Sequence, residues 1–241
     1  MTRGIILNIR PLTYRSRFHT AFGPIGWPII DSPVLVPEST GAAIPSPEGF
    51  DAVIFTSQVA VDMLGDPDRW RGKTAYAVGP AMAAAARDAG FARTVQTGFD
   101  AKDLIASLGS ADFKQAFYPS AEDVSADISL DDPARIRRLA VYRMKPAKAL
   151  SAEALENLRA GASVLVPLFS RRSARTLESL LAGAGLASHN AHLAAVAISL
   201  EALGPHPGPW QRRSVADKPT LEAVVAKTAA AAAELTSGTR P

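Results

Sequence analysis

Cysteine is absent from the 241 residues. That excludes disulfides, Cys-ligated zinc, iron–sulfur clusters and any thiol nucleophile. Histidine is scarce: His19, His189, His192 and His206 are the whole supply, which leaves little material for a histidine metal site. No apolar run is long enough to cross a membrane. The longest near the end, residues 229–233, is short and is flanked by Lys227 and Glu234. The opening Met1-Thr2-Arg3-Gly4-Ile5-Ile6-Leu7 lacks the long apolar stretch and small-residue cleavage site of a secretory signal. A cytoplasmic location is the expectation. There is no Walker loop and no Gly-x-Gly-x-x-Gly, so no nucleotide fingerprint. Nor is there a large excess of one charge: 26 Lys and Arg face 23 Asp and Glu, a net charge of +3, with a pI of about 9.3. The basic residues form no long run. Nucleic acid is therefore not an expected partner, whereas a polyanionic small molecule suits the balance.

What is present is material for a core. Apolar residues are 47% and charged residues 20%, with a mean hydropathy of +0.07. This is a globular composition, long enough for one large or two small domains. Short apolar runs at 4–9, 52–55, 74–78, 114–118, 138–142, 163–168 and 193–198 read as strands. Most are continuous rather than alternating, the pattern of strands buried on both faces. Helical stretches at 81–89, 101–108, 152–160 and 172–181 lie between them. The βαβα order predicts parallel sheets covered by helices. Gly90 is a candidate C-terminal cap, Ser151 a candidate helix start, and Pro219-Thr220 can open the last helix. Residues 36–49 and 206–213, rich in Pro and Gly, read as loops.

A faint internal repeat runs through this order. Phe55-Thr56-Ser57, Val78-Gly79 and Asp103-Leu104 each precede or open a helix in one half. Phe169-Ser170, Ile198-Ser199 and Pro219-Thr220-Leu221 do so in the other. The repeat implies two similar α/β lobes with a cleft between them. In open α/β sheets ligands bind beyond the C-terminal strand ends, where helix N-termini present N–H groups. Thr56, Ser57, Gly79, Ser170, Ser173, Ser199 and Thr220 all fall at such junctions. Singly, each reads as an N-cap. Together, in register across two lobes, they suit a carboxylate- or phosphate-rich ligand. Other features read as solvated surface: His189-x-x-His192, the pairs Arg171-Arg172 and Arg212-Arg213, and Arg135-x-Arg137-Arg138. Glu122-Asp123 with Asp127 and Asp131-Asp132 reads as a wet helix face.

The assembled pattern resembles the uroporphyrinogen-III synthase family over essentially the whole chain. The carriers are Arg10-Pro11, Phe55-Thr56-Ser57, Val78-Gly79-Pro80, Val141-Tyr142, Phe169-Ser170 with Ser173-Ala174, Ile198-Ser199 and Lys218-Pro219-Thr220-Leu221. The resemblance implies two flavodoxin-like α/β lobes with parallel sheets and a cleft between them. Lobe one would be 1–33 with 147–241, and lobe two 38–138. Residues 34–37 and 139–146 would be the two linker strands. It implies an enzyme that closes linear hydroxymethylbilane to uroporphyrinogen III, with ring D inverted and water lost, using no cofactor and no metal. Tyr142 would be the proton donor. Arg10, Ser57, Gly79, Ser170, Ser173, Ser199 and Thr220 would bind the eight-carboxylate substrate. A monomer is implied, with hydroxymethylbilane synthase as its upstream partner. This chain departs from the family pattern at Ile9, Val59, Met82 and Ser120-Ala121, where the family often has Thr, Asn, Thr and Arg-Gly. These departures motivate a rival expectation, a non-catalytic two-lobed relative that binds a tetrapyrrole or another polyanion. A generic two-lobed small-molecule binder is the third.

Overall fold

Runs such as Ile5-Ile6-Leu7, Ala52-Val53-Ile54-Phe55 and Val164-Leu165-Val166 have no polar face, so they are stable only where both faces are covered. In the computed structural model all three are buried strands inside larger sheets. The structure describes residues 4–98, 100–124, 128, 130, 132–186, 192–205 and 208–237. The chain divides into two compact units, residues 1–36 with 145–241, and residues 37–144.

The first unit holds a five-stranded sheet. Its strands are β1 (Ile5–Asn8), β2 (Ile29–Asp31), β9 (Val164–Leu168), β10 (Leu193–Ala197) and β11 (Arg212–Val215), in the order β11-β10-β9-β1-β2. Every pairing is parallel. Helices α1 (Arg15–Phe22), α5 (Ala152–Arg159), α6 (Arg171–Gly183), α7 (Leu200–Leu203) and α8 (Leu221–Thr236) accompany it. On one side Phe18 and Phe22 of α1 stack at 4.2 Å, the natural meeting of residues four apart on a helix. They pack with Ile6, Leu165, Val196 and Val224.

The second unit holds a six-stranded sheet. It comprises β3 (Leu35–Ser39), β4 (Ala52–Phe55), β5 (Thr74–Val78), β6 (Arg93–Thr97), β7 (Ala116–Ala121) and β8 (Ile136–Pro146), in the order β3-β8-β7-β4-β5-β6. The pairings among β4, β5, β6, β7 and β8 are parallel. The Thr40 amide donates to the Val141 carbonyl and that of Ala147 to Val34, so β3 runs antiparallel to β8. Helices α2 (Gln58–Asp62), α3 (Gly79–Asp88) and α4 (Ala101–Gly109) complete the unit. Residues 86–91 close α3 as the sequence suggests. Gly90 has φ +92°, and the Gly90 and Phe91 amides donate to the carbonyls of Arg87 and Ala86, a Schellman ending.

Alternation sorts this sheet into two faces. Val53, Phe55, Ala75 and Phe117 enter one cluster; Ala52, Ile54, Tyr76, Ala116 and Tyr118 enter the other. The pairing of β7 with β8 shifts by one residue between Ser120↔Ala140 and Ala121↔Tyr142. That bulge puts Tyr142 in the cluster with Phe117, instead of on the face of Tyr118.

The strands hidden from periodicity are β2, β3, β6 and β11, and all four lie at sheet edges. Two of the loop readings are corrected accordingly. Arg212 and Arg213 begin β11, and residues 36–39 belong to β3. Glu122 and Asp123 are no helix face either; they follow β7 as an irregular bend. Asp127, Asp131, His189 and His206 lie outside the described residues. Two arginines read as solvated are pinned to backbone. Arg135 donates to the carbonyls of Ala111 and Phe113 and lies over the Phe113 ring. Arg138 donates to Ser120 Oγ and to the carbonyls of Ala121 and Glu122.

Asp51 ties the start of β4 to the segment before β7. Its carboxylate accepts the amides of Lys114 and Gln115 at 2.8 and 3.2 Å. Those two bonds, with the smaller effect of Lys73 and Lys114, hold the carboxyl below the ordinary Asp value despite slight desolvation. A depressed carboxyl stabilises the fold above its unfolded pKa, about 3.9, and ceases to do so as pH falls through the folded value. Asp51→Ala is expected to lower Tm by a few degrees at pH 7. The gap should narrow as pH falls below about 3.9 and through the lower folded value, and a gap independent of pH would contradict this role.

Candidate active site

In the second unit a cavity of about 490 Å³ opens at the C-terminal end of the sheet. Thr56 and Ser57 leave β4 there, Ala121 and Asp123 leave β7, Asp100 precedes α4, and Tyr118 and Tyr142 come from β7 and β8. Consecutive residues of an extended chain point to opposite sides, and Thr56 and Ser57 use this. Thr56 Oγ1 meets the Tyr118 hydroxyl at 3.2 Å, and Ser57 Oγ meets the Tyr142 hydroxyl at 2.8 Å. Ser57 is also the N-cap of α2, accepting the Ala60 amide. Tyr142 is 5% exposed, its ring packed in the cluster with Phe117 and Val141.

A phenol in this setting can serve as a proton source with a hydroxyl partner. Ser57 Oγ beside the phenol oxygen can donate to it, which stabilises the phenolate left after proton transfer. Gly79, by contrast, acts as backbone. It has φ +72°, a conformation that a residue with a Cβ adopts only at a cost, and its amide donates to the Gly98 carbonyl at 2.8 Å. The amide that the sequence offered to an anion is thus already engaged.

The remaining candidates belong to the first unit, where they follow the C-terminal ends of neighbouring parallel strands. Arg10 follows β1, Ser170 and Ser173 follow β9, Ser199 follows β10 and Thr220 follows β11. Ser170, Ser199 and Thr220 are N-caps, their oxygens accepting the amides of Ser173, Ala202 and Ala223. Ser170 Oγ also donates to Ser173 Oγ. The Arg10 guanidinium lies over the rings of Tyr14 and Phe169 at 4.3 and 4.4 Å. Burial lowers its pKa, with Tyr14 opposing and Arg17 adding to the effect. Phe169 immediately precedes Ser170, so Arg10 adds a full positive charge near the N-terminus of α6.

Sequence reasoning missed a polar network that steadies this edge. Asn8 is fully buried. Its amide donates to Asp31 Oδ1 and its oxygen accepts the Arg10 backbone amide. Asp31 also meets His19 and Arg15. Burial pushes the Asp31 carboxyl up, but the hydrogen bonds from Asn8 and His19 and the His19 and Arg15 charges outweigh it, leaving its pKa lowered. An asparagine closing an apolar strand was the available signal. Among the described residues no group of three or more His, Cys, Asp or Glu is placed to hold a metal ion, and no helix is long and apolar enough to cross a membrane.

The departures from the family pattern are packing choices. Met82 is 7% exposed and packs with Ala77 and Ala83. Val59 is buried beside Phe55 and Trp70. Ser120 is buried and held by Arg138.

A solved structure shares this architecture. A solved uroporphyrinogen-III synthetase from Helicobacter pylori superposes with a TM-score of 0.62 at 17% identity, covering 95% of this chain and 99% of that one. A mutant uroporphyrinogen III synthase from the extremely thermophilic bacterium Thermus thermophilus matches at 16% identity and a TM-score of 0.45, covering 96% and 99%. No curated protein matches the chain significantly. The family model described as uroporphyrinogen-III synthase HemD matches residues 17–226. The βαβα order, the two parallel-dominated sheets and that match across most of the chain lead to one assignment: the protein belongs to the uroporphyrinogen-III synthase family, enzymes of tetrapyrrole biosynthesis.

Proposed function

We propose that this protein closes hydroxymethylbilane to uroporphyrinogen III, and that Tyr142 supplies the proton for the first step. The observation that carries the reading is the Tyr142–Ser57 hydroxyl pair on the wall of the cavity. Tyr142 gives its proton to the terminal hydroxyl of the substrate. The C–O bond breaks, the adjacent pyrrole nitrogen supplies the electron pair, and water and an azafulvenium result. The nucleophilic carbon of ring D then attacks, giving a spiro intermediate whose reopening and reclosure invert that ring. Ser57 stabilises the phenolate until a proton returns to it. No cofactor or metal enters this scheme.

Arg10, Ser170, Ser173, Ser199 and Thr220 would hold substrate carboxylates through the guanidinium, the hydroxyls and the N-terminal amides of α6 and α8. Gly79 shapes the β5–α3 turn. Residues 34–37 and 139–146 serve as the linker between lobes 1–33 with 147–241 and 38–138. The protein works as a cytoplasmic monomer that receives its substrate from hydroxymethylbilane synthase.

The test is turnover. Hydroxymethylbilane, generated in place by its synthase, is expected to give predominantly isomer III with this protein and isomer I without it. Product that is only isomer I, from a folded protein that binds uroporphyrinogen III, would favour the non-catalytic relative.

A further inference from the structure

The cavity of the second unit holds another phenol, which the scheme above leaves unused. Tyr118 is 2% exposed. Its ring packs among Ile54, Leu104 and Ile128, and it lines the cavity together with Thr56. The Tyr118 and Thr56 hydroxyls are paired at 3.2 Å, and neither has another hydrogen-bond partner among the described residues. One bond between two hydroxyls uses one hydrogen and one lone pair. The second hydrogen and the other lone pairs are left at the wall. A core aromatic needs no hydroxyl, as the buried Phe113 and Phe117 nearby show. Burying one with a single long hydrogen bond is a cost unless something else completes its bonding.

The charge of the same wall narrows what that something is. Its described lining includes Asp100 and neither Lys nor Arg. An incoming carboxylate meets the Asp100 charge and no Lys or Arg side chain among the described lining residues; a group with N–H or O–H to donate meets the Asp100 carboxylate and the hydroxyl lone pairs of Tyr118 and Thr56. We propose that Tyr118 and Thr56 form a second substrate-contacting pair, and that this cavity takes the N–H and hydroxyl edge of a pyrrole ring rather than a carboxylate. The proposal rests on the tetrapyrrole reading above. In it the reacting pyrrole goes to the cavity of the second unit.

Tyr118→Phe keeps the ring, and Thr56→Val keeps the shape of the threonine. In each, KM for hydroxymethylbilane is expected to rise about three- to tenfold, the range of one lost neutral hydrogen bond. The share of isomer III should fall while Tm holds. Unchanged KM and isomer share in both folded variants would overturn the pair's role. Asp100→Asn tests the sign of the charge argument, because asparagine caps a helix as well as aspartate does and Asp100 caps α4. An N–H-binding cavity loses an acceptor charge, so KM rises. A KM that stays or falls overturns the pyrrole-edge assignment. If the unaltered protein yields only isomer I, the catalytic reading fails by itself. Anaerobic calorimetry with uroporphyrinogen III then decides the proposal without turnover. Weaker binding by Tyr118→Phe and Asp100→Asn supports it, and equal or tighter binding refutes it.

Discussion

Tyr142→Phe is expected to cut the rate of isomer III formation by about ten- to a hundredfold, the lower part of the range for a positioned general acid because a phenol is a weak one. The substitution keeps the ring, which is packed with Phe117 and Val141, and deletes only the hydroxyl that meets Ser57 Oγ at 2.8 Å. The fold therefore holds, and Tm should move by no more than a degree or two. As the enzymatic rate falls, uncatalysed closure fills the product with isomer I, so the III-to-I ratio is the sensitive measure. Ser57→Ala should act in the same direction but less strongly, since it removes the stabilising partner and leaves the proton. An unchanged ratio in Tyr142→Phe, beside an active unaltered protein, would dismiss Tyr142 as the acid. KM adds a second check. A residue that acts only on the leaving hydroxyl lowers kcat and leaves KM nearly alone.

Trp70→Ala should be the most damaging single change to the second unit. Trp70 is 1% exposed, stacked on Phe117 at 5.2 Å and 17° and tilted against Phe50 at 5.9 Å. Phe50 and Phe117 are themselves tilted together at 5.4 Å. Truncation leaves a cavity in the middle of this triad, at a cost of about 3–5 kcal/mol. For a protein of this size that corresponds to a fall in Tm on the order of 10 °C. Phe117 lies on β7, which also carries Tyr118 and ends in the loop lining the cavity, so isomer selectivity should decline together with stability. Trp70→Phe retains a ring in the stack and should cost less than half as much. A loss below about 1 kcal/mol for Trp70→Ala would show that the triad is not the centre of the unit's core.

The inner strands and the caps were legible in the sequence because their causes are local. Ala52–Phe55 and Thr74–Val78 are strands over the predicted residues, since continuous apolar runs have nowhere to go but between two layers. Ser57, Ser151, Ser170, Ser199 and Thr220 all cap helices, since a hydroxyl before a helical stretch satisfies an amide that would otherwise lack a partner. The edge strands were not legible. Arg93-Thr94-Val95-Gln96-Thr97 and Arg212-Arg213-Ser214-Val215 carry solvent-tolerant side chains, and their pairing is decided by the neighbour they dock against.

The chemistry of the cavity depended more heavily on tertiary structure. Tyr142 could be singled out by its place after an apolar strand, but its partner could not. Periodic alternation along β8 places Tyr142 on the same face as Arg138, the residue opposite Tyr118; the one-residue shift after Ser120↔Ala140 moves it to the other face. The two phenols then reach the sheet end from opposite sides, where adjacent Thr56 and Ser57 receive one each. By itself the sequence determined which segments are buried and where helices begin, because burial and capping depend on a residue and its near neighbours. Only the tertiary structure decided which hydroxyls meet, because register and bulges are set by the packing of segments that are 62 and 85 residues apart.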